Sequence, residues 1–310
     1  MDLGSPRLFS HPPATTRLTT DVSVVIDDIH ALNYRDAADK VRGLLQSDGY
    51  SDEDKLKLWE ARLTLLMFYS MNQARQEAVA LNNHLFLLEN DAPQAAVYPL
   101  PRNNPMIPLS LLVLLLRLKL KPSVTVINEI YKLVYQTRLK STSGGGTRRQ
   151  LMVASYEVLA ALVASHQWLV VLNMATSTSE QAQNHAGYGD YASNLRLVTM
   201  IITALVGGDT SSDDYQRLEK TTTDSWGYVM QRTGEYNGTF ADIAAIASSA
   251  ATVAPVLERL LAVWTLVTLG EIGVDDLDQL PSKHVNADVD GLVEAVTAHW
   301  PRNLTHYYGH

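Results

Sequence analysis

Cysteine is absent from all 310 residues, which removes disulfides, thiolate metal sites and thiol nucleophiles together. Basic charge is in deficit, with 25 Lys and Arg against 33 Asp and Glu and a formal net charge of -8. The late part is the most one-sided, where Glu271, Asp275, Asp276, Asp278, Asp288 and Asp290 face Lys283. Without a stripe of Lys and Arg there is nothing to release counterions from a phosphate backbone, so no nucleic-acid partner is expected. Arg148-Arg149, the one adjacent basic pair, reads as a solvated helix start.

Long apolar runs are missing as well. The most apolar stretch, 109–120, is about a dozen residues, carries Arg117 and Lys119, and is too short and too charged to span a bilayer. Residues 1–20 contain Pro6, Pro12, Pro13 and a cluster of Thr but no apolar core of a signal peptide, so a cytosolic chain is expected. The Gly-rich segment 143–147 lacks the Lys of a phosphate-binding loop, and the nine histidines show no His-Glu-x-x-His spacing. Asp27-Asp28, Asp213-Asp214 and Asp275-Asp276 are adjacent in sequence, so on a helix they point about 100° apart and read as solvated faces or caps. His166 reads as a polar turn residue. No catalytic residue, cofactor, metal ligand or small-molecule substrate is expected.

What the chain does have is helical periodicity, and 46% hydrophobic residues with which to bury a core. Asp21 offers an N-cap to a face of Val24, Val25, Ile29 and Leu32, and after Asn33 a second face runs through Tyr34, Ala37, Val41 and Leu44. Residues 52–69 place Leu56, Trp59, Leu63 and Leu66 together, followed by Ala74, Ala78, Leu81 and Leu85. Residues 109–120, led by Pro105 and Pro108, are expected to pair with 123–140. The same pattern continues over 148–165 with 168–179, 193–206 with 213–231, and 241–252 with 255–269. Tyr131–Tyr135 is the best strand candidate, but the helical spacing around it prevails.

Each such hairpin can bury one face by itself, and stacking on its neighbours supplies the rest of the core. The expected fold is all-α: tetratricopeptide-like helical hairpins stacked into an α-solenoid. The unit is about 34 residues, with small residues where helices cross; Ala37, Ala160 and Ala161 suit those places, and Trp168 opens a second helix. Residues 1–20 are expected as a flexible tail and 21–310 as a single solenoid domain, with a looser junction near 141–147. Trp59, Trp168 and Trp264 lie on apolar stripes and are expected in the core. Trp300, Tyr307 and Tyr308 close the sequence in a polar tail and are the candidate partner-binding residues.

In the first two hairpins the residues become specific. Asn33-Tyr34-Arg35-Asp36-Ala37-Ala38, followed by Arg42-Gly43-Leu44-Leu45, resembles the opening repeat of the family of subunit twelve of the trafficking protein particle (TRAPP) complex. Leu56-Lys57-Leu58-Trp59-Glu60-Ala61-Arg62-Leu63 is similar to that family's leucine–tryptophan–arginine helix. Tyr98-Pro99 and then Met106-Ile107-Pro108-Leu109 resemble its tyrosine–proline link into a proline-led helix. The resemblance runs from about Ile29 to Leu269, is strongest before Arg117, and fades beyond Asp275.

What the resemblance implies is a non-catalytic scaffold subunit of a vesicle-tethering and Rab guanine-nucleotide exchange complex. Such a subunit links subunit eleven to the small-subunit core in endoplasmic reticulum–Golgi transport and autophagy. It would touch a Rab GTPase and membranes only indirectly, and would lie in the cytoplasm at Golgi and endoplasmic reticulum membranes. The alternative is a free tetratricopeptide adaptor that captures an extended peptide of a chaperone or another partner, which calls for a concave row of Lys, Arg and Asn. An α-helical enzyme would instead need a convergent polar cluster inside the array.

Overall fold

A computed structural model describes residues 1–11, 21–89, 98–102, 104–120, 123–140, 145–183, 188–209, 211–213, 215–217, 220, 253–254, 257–258, 260–261, 264 and 286–307. The protein is all-α. Among the described residues there is no strand, and ten α-helices and one short 3-10 turn can be followed from end to end. The helices are α1 (Val22–His30), α2 (Tyr34–Gln46), α3 (Asp52–Tyr69), α4 (Met71–Glu89), α5 (Leu109–Lys119), α6 (Val124–Lys140), α7 (Gly145–Ala164), α8 (Trp168–Gln183), α9 (Gly189–Leu205) and α10 (Val289–Tyr307). Helical hairpins follow one another in sequence order.

Local chemistry sets the boundaries. Asp21 caps α1 as expected, its Oδ1 accepting from the Ser23 backbone N–H at 2.9 Å. Ser51 caps α3, accepting from the Asp54 N–H at 3.1 Å and donating to its carboxylate at 2.7 Å. Three turns share one design. After α1, α7 and α9 the chain places Leu32, His166 and Gly207 in the left-handed region, at φ 62°, 55° and 74°. In each case the next residue's N–H returns to a carbonyl five positions back: Asn33 to Asp28, Gln167 to Leu162, Gly208 to Thr203. This is the Schellman closure of a helix end, and only the third site uses the residue that adopts it without steric cost.

Two compact units emerge, where one domain was expected: residues 1–121 with 279–310, and residues 122–278. In the first unit α1 packs on α2, α2 on α3, α3 on α4, and α5 on both α4 and α3. The last helix then returns: α10 lies against α3 and α1 and buries Val289, Leu292, Ala295, Val296 and His299. Gly291 allows its start, since a Cβ there would meet the Asn286 carbonyl oxygen at 1.9 Å. The unit boundary falls inside the hairpin expected from 109–120 and 123–140, because α5 is committed to α3 and α4, and α6 to α7.

In the second unit α6 packs on α7, α7 on α8 and α8 on α9. Residues 131–135 are helical, within α6. The core centres on α7, whose Tyr156 ring lies 5.3 Å from Tyr191 and 5.8 Å from Trp264. Of the expected junction at 141–147, residues 141–144 lie outside the described residues and Gly145 already begins α7. The expected helices over 213–231, 241–252 and 255–269 fall largely outside the described residues. Within the last, Leu257, Leu260, Leu261 and Trp264 are helical and buried.

Candidate functional site

The main departure from sequence expectation is at the N-terminus. Residues 1–11 are not a flexible tail: Leu3, Leu8 and Phe9 are buried. They form a strap across α2, α3 and α4, with the 3-10 turn Pro6–Leu8 in its middle. Residues 12–20, the rest of that expected tail, lie outside the described residues. Burial of the three side chains, about 1.5–3 kcal/mol each, does not by itself offset the ordering of eleven residues at about 1–2 kcal/mol each, so the strap also depends on polar contacts with the helices beneath it.

The floor of that groove is polar. Arg62 on α3 and Glu77 on α4 are both 0% exposed and meet side by side, Nε to Oε2 at 2.7 Å and Nη2 to Oε1 at 2.8 Å. Such a fork-on-fork pair is the strongest geometry open to an ion pair. Arg62 also donates to the Ala38 carbonyl of α2, and Gln73 donates to Glu77 at 3.1 Å. Two buried charges are tolerated only when their lone pairs and protons are taken up in this way. Arg42 on α2 stands beside them, its pKa pushed down first by burial and then by the Arg62 charge.

The strap engages this floor by main chain and by side chain. Trp59 Nε1 donates to the Leu3 carbonyl at 2.9 Å, and Arg42 donates to the His11 carbonyl. The Ser10 N–H and hydroxyl reach Glu77 Oε1 at 3.3 and 3.2 Å. Phe9 stacks on Trp59, centroids 5.1 Å apart, while the Arg42 and Arg62 guanidinium carbons sit 4.4 and 5.1 Å from its ring centre. Gly4 passes so close to the end of α2 that a Cβ would meet the Leu45 carbonyl oxygen at 2.5 Å.

A second polar latch fixes the chain before α5. Asn82 on α4 donates to the Tyr98 and Pro99 carbonyls at 3.1 and 3.2 Å, and Phe86 stacks on Tyr98. Lys119 at the end of α5 donates to the same Tyr98 carbonyl at 2.6 Å. Its pKa is pushed down to about 8, chiefly by burial and further by Arg102.

The expected partner-binding residues fare differently. Trp300 and Tyr307 lie on α10, and Tyr308 lies outside the described residues. The apolar residues that precede them are not an open end of the stack: Leu292 and Val296 are covered by α1 and α3. His299 accepts or donates at Tyr34 Oη, 3.0 Å away, with the ring of His30 edge-on at 6.1 Å. Trp59 and Trp264 are core residues as expected, but Trp168 is only half-buried. It opens α8 beside Leu169 (66% exposed) and Val170 (45%), two residues after the left-handed His166.

Sequence reasoning passed over that outer face. On α6, Tyr131 and Tyr135 point to solvent one turn apart, and Tyr135 is 62% exposed. Tyr131 Oη donates to Met174 Sδ at 3.5 Å, which joins the outer faces of α6 and α8, with Val170 one turn before Met174. The signal in the sequence is two tyrosines four apart, which share one side of α6 away from the buried Leu133.

Among the described residues no group of three His, Asp or Glu is placed to hold a metal ion, and no helix is long and apolar enough to cross a membrane. No family model, no curated protein and no solved structure matches this chain.

Proposed function

We propose that the chain is a non-catalytic scaffold that binds other proteins, and that the outer face of α6 and α8 is a docking surface for a protein subunit. The observation that carries this reading is the exposure of Tyr131, Tyr135, Leu169 and Val170 on two helices that meet where Tyr131 Oη donates to Met174 Sδ at 3.5 Å. Large apolar side chains grouped on a surface mark interaction sites, and Tyr is favoured there because it brings area at little entropic cost. The polar interior supports the same reading. Arg62 and Glu77 are joined to one another and to the framework, which is what a structural pair requires.

The assembly proposed is of the TRAPP type, with subunit eleven and the small-subunit core as partners, a Rab GTPase as the indirect client, and a cytoplasmic place at Golgi and endoplasmic reticulum membranes. Support comes from the residues that carry the resemblance. Tyr34 opens α2, Trp59 and Arg62 occupy the inner face of α3, and Tyr98-Pro99 forms the latched link toward the Pro108-led α5.

The test is affinity isolation of the full chain from its native cell, beside a Tyr135→Glu, Leu169→Glu variant. Recovery of vesicle-tethering subunits with the wild type, and their loss with the variant at unchanged melting temperature, is the expected result. Equal recovery by both would remove the docking surface, and co-purifying chains unrelated to tethering would remove the TRAPP assignment.

A further inference from the structure

The strap is bound as a peptide is bound. Three of its contacts read main chain alone: Trp59 to the Leu3 carbonyl, Arg42 to the His11 carbonyl, and Glu77 to the Ser10 N–H. Any segment that can follow the same path, with a turn at its middle, offers those groups. Two pockets add selectivity, one for Leu3 and one for Leu8 with Phe9, whose ring lies on Trp59 and under two guanidinium groups. A third restriction is steric, since only glycine fits beside the Leu45 carbonyl at position 4.

The groove is also built without the strap. Arg62 is fixed by Glu77 and by the Ala38 carbonyl, and Glu77 by Arg62 and Gln73, all on α2, α3 and α4. The strap contributes few hydrogen bonds of its own, those of one short turn around Ser5 and Pro6. Its hold on the protein is side-chain burial, main-chain bonds that a second segment can replace, the Ser10 hydroxyl on Glu77 at 3.2 Å and the Met1 ammonium on Asp52 at 2.7 Å. The division of labour is that of peptide recognition in preformed grooves, where backbone bonds give affinity and spaced pockets give choice.

We propose that the groove of α2, α3 and α4 is a peptide-binding site that residues 1–11 close in cis. Its ligand in trans is a short segment of another protein with the pattern Leu-Gly-x-x-x-Leu-Phe, able to turn at its middle as Pro6–Leu8 does. The strap is then an internal competitor. Its effective concentration, on the order of millimolar for a short tether, sets the threshold that a partner segment must exceed. The site lies within the first unit and rests on no part of the assembly reading, so failure of either leaves the other standing.

The experiment uses the full chain and a fluorescein-labelled, N-acetylated peptide of residues 1–11 as probe, followed by anisotropy. The intact protein should bind it weakly. Phe9→Ala or Gly4→Ala, which loosen the strap but leave the groove, should tighten probe binding about tenfold or more. Arg42→Ala added to either should reverse the gain, because it removes the bond to the His11 carbonyl and one face of the Phe9 site. Folded strap variants that bind no better than wild type would overturn the proposal. So would loss of helical circular dichroism in both, which would make the strap part of the core. Sedimentation of the unliganded chain supplies the last arm: a dimer that the probe dissociates would assign the groove to a second copy and overturn the partner assignment.

Discussion

Replacing Arg62 by Met should destabilise the first unit by about 3–5 kcal/mol, the usual cost of stranding one member of a buried ion pair. Both side chains are 0% exposed, so water cannot solvate the Glu77 carboxylate left behind. The variant loses two charge-assisted bonds, at 2.7 and 2.8 Å, each worth about 1.5–3 kcal/mol. Glu77 keeps the Ser10 N–H and hydroxyl and the Gln73 amide, which moves the expected cost toward the lower end, about 3 kcal/mol. Adding Glu77→Leu should recover at least half of that loss, since an apolar pair of similar volume often matches a buried salt bridge. The cost should also be nearly independent of salt, because a dry pair is poorly screened. The assay is urea denaturation of the two single variants and the double variant, completing a double-mutant cycle, with hydrogen exchange over α2–α4 to report the first unit. A loss below about 1 kcal/mol for Arg62→Met, or a double variant as unstable as the sum of the singles, would mean that the pair is neither buried nor coupled.

Leu32→Gly should stabilise the protein by about 0.5–1 kcal/mol, because a left-handed non-glycine residue is strained and glycine's greater unfolded freedom offsets only part of the relief. Leu32 is 53% exposed, so little burial is lost, and an unchanged or lowered melting temperature would refute the turn geometry. Deleting the chain from Asp288 onward should strip α10 from α1 and α3 and abolish slow hydrogen exchange in both helices; retained protection would make α10 an appendage. The same deletion cannot map an interface, since it bares core residues of the first unit. His84 carries a pKa lowered from 6.5 chiefly by burial, and its Nε2 is buried without a hydrogen-bond partner. The unfolded chain therefore takes up the proton first as pH falls, so stability should decline below pH 6.5 and level off once the folded pKa is passed. In His84→Gln that part of the slope should vanish in melting curves from pH 7.5 to 5, and an unaltered slope would place its origin elsewhere.

What the sequence determined by itself is the helical framework. Spacings of three and four along Leu56, Trp59, Leu63 and Leu66, or Ala74, Ala78, Leu81 and Leu85, state which face of each helix is apolar, and all eight residues are buried. The Asp21 cap and the core places of Trp59 and Trp264 follow from the same local rules. Partner choice between helices does not. Whether α5 turns to α6 or back to α3 and α4, and whether α10 closes on α1 and α3, depends on contacts between residues far apart in sequence, which periodicity does not encode. The strap was invisible for a further reason. Leu3, Leu8 and Phe9 have no helical or strand period, so their burial follows from the pocket of Trp59, Arg42 and Arg62 that receives them. Likewise the sequence does not pair Arg62 with Glu77; tertiary packing excludes water from both and brings each within reach of the other's charge.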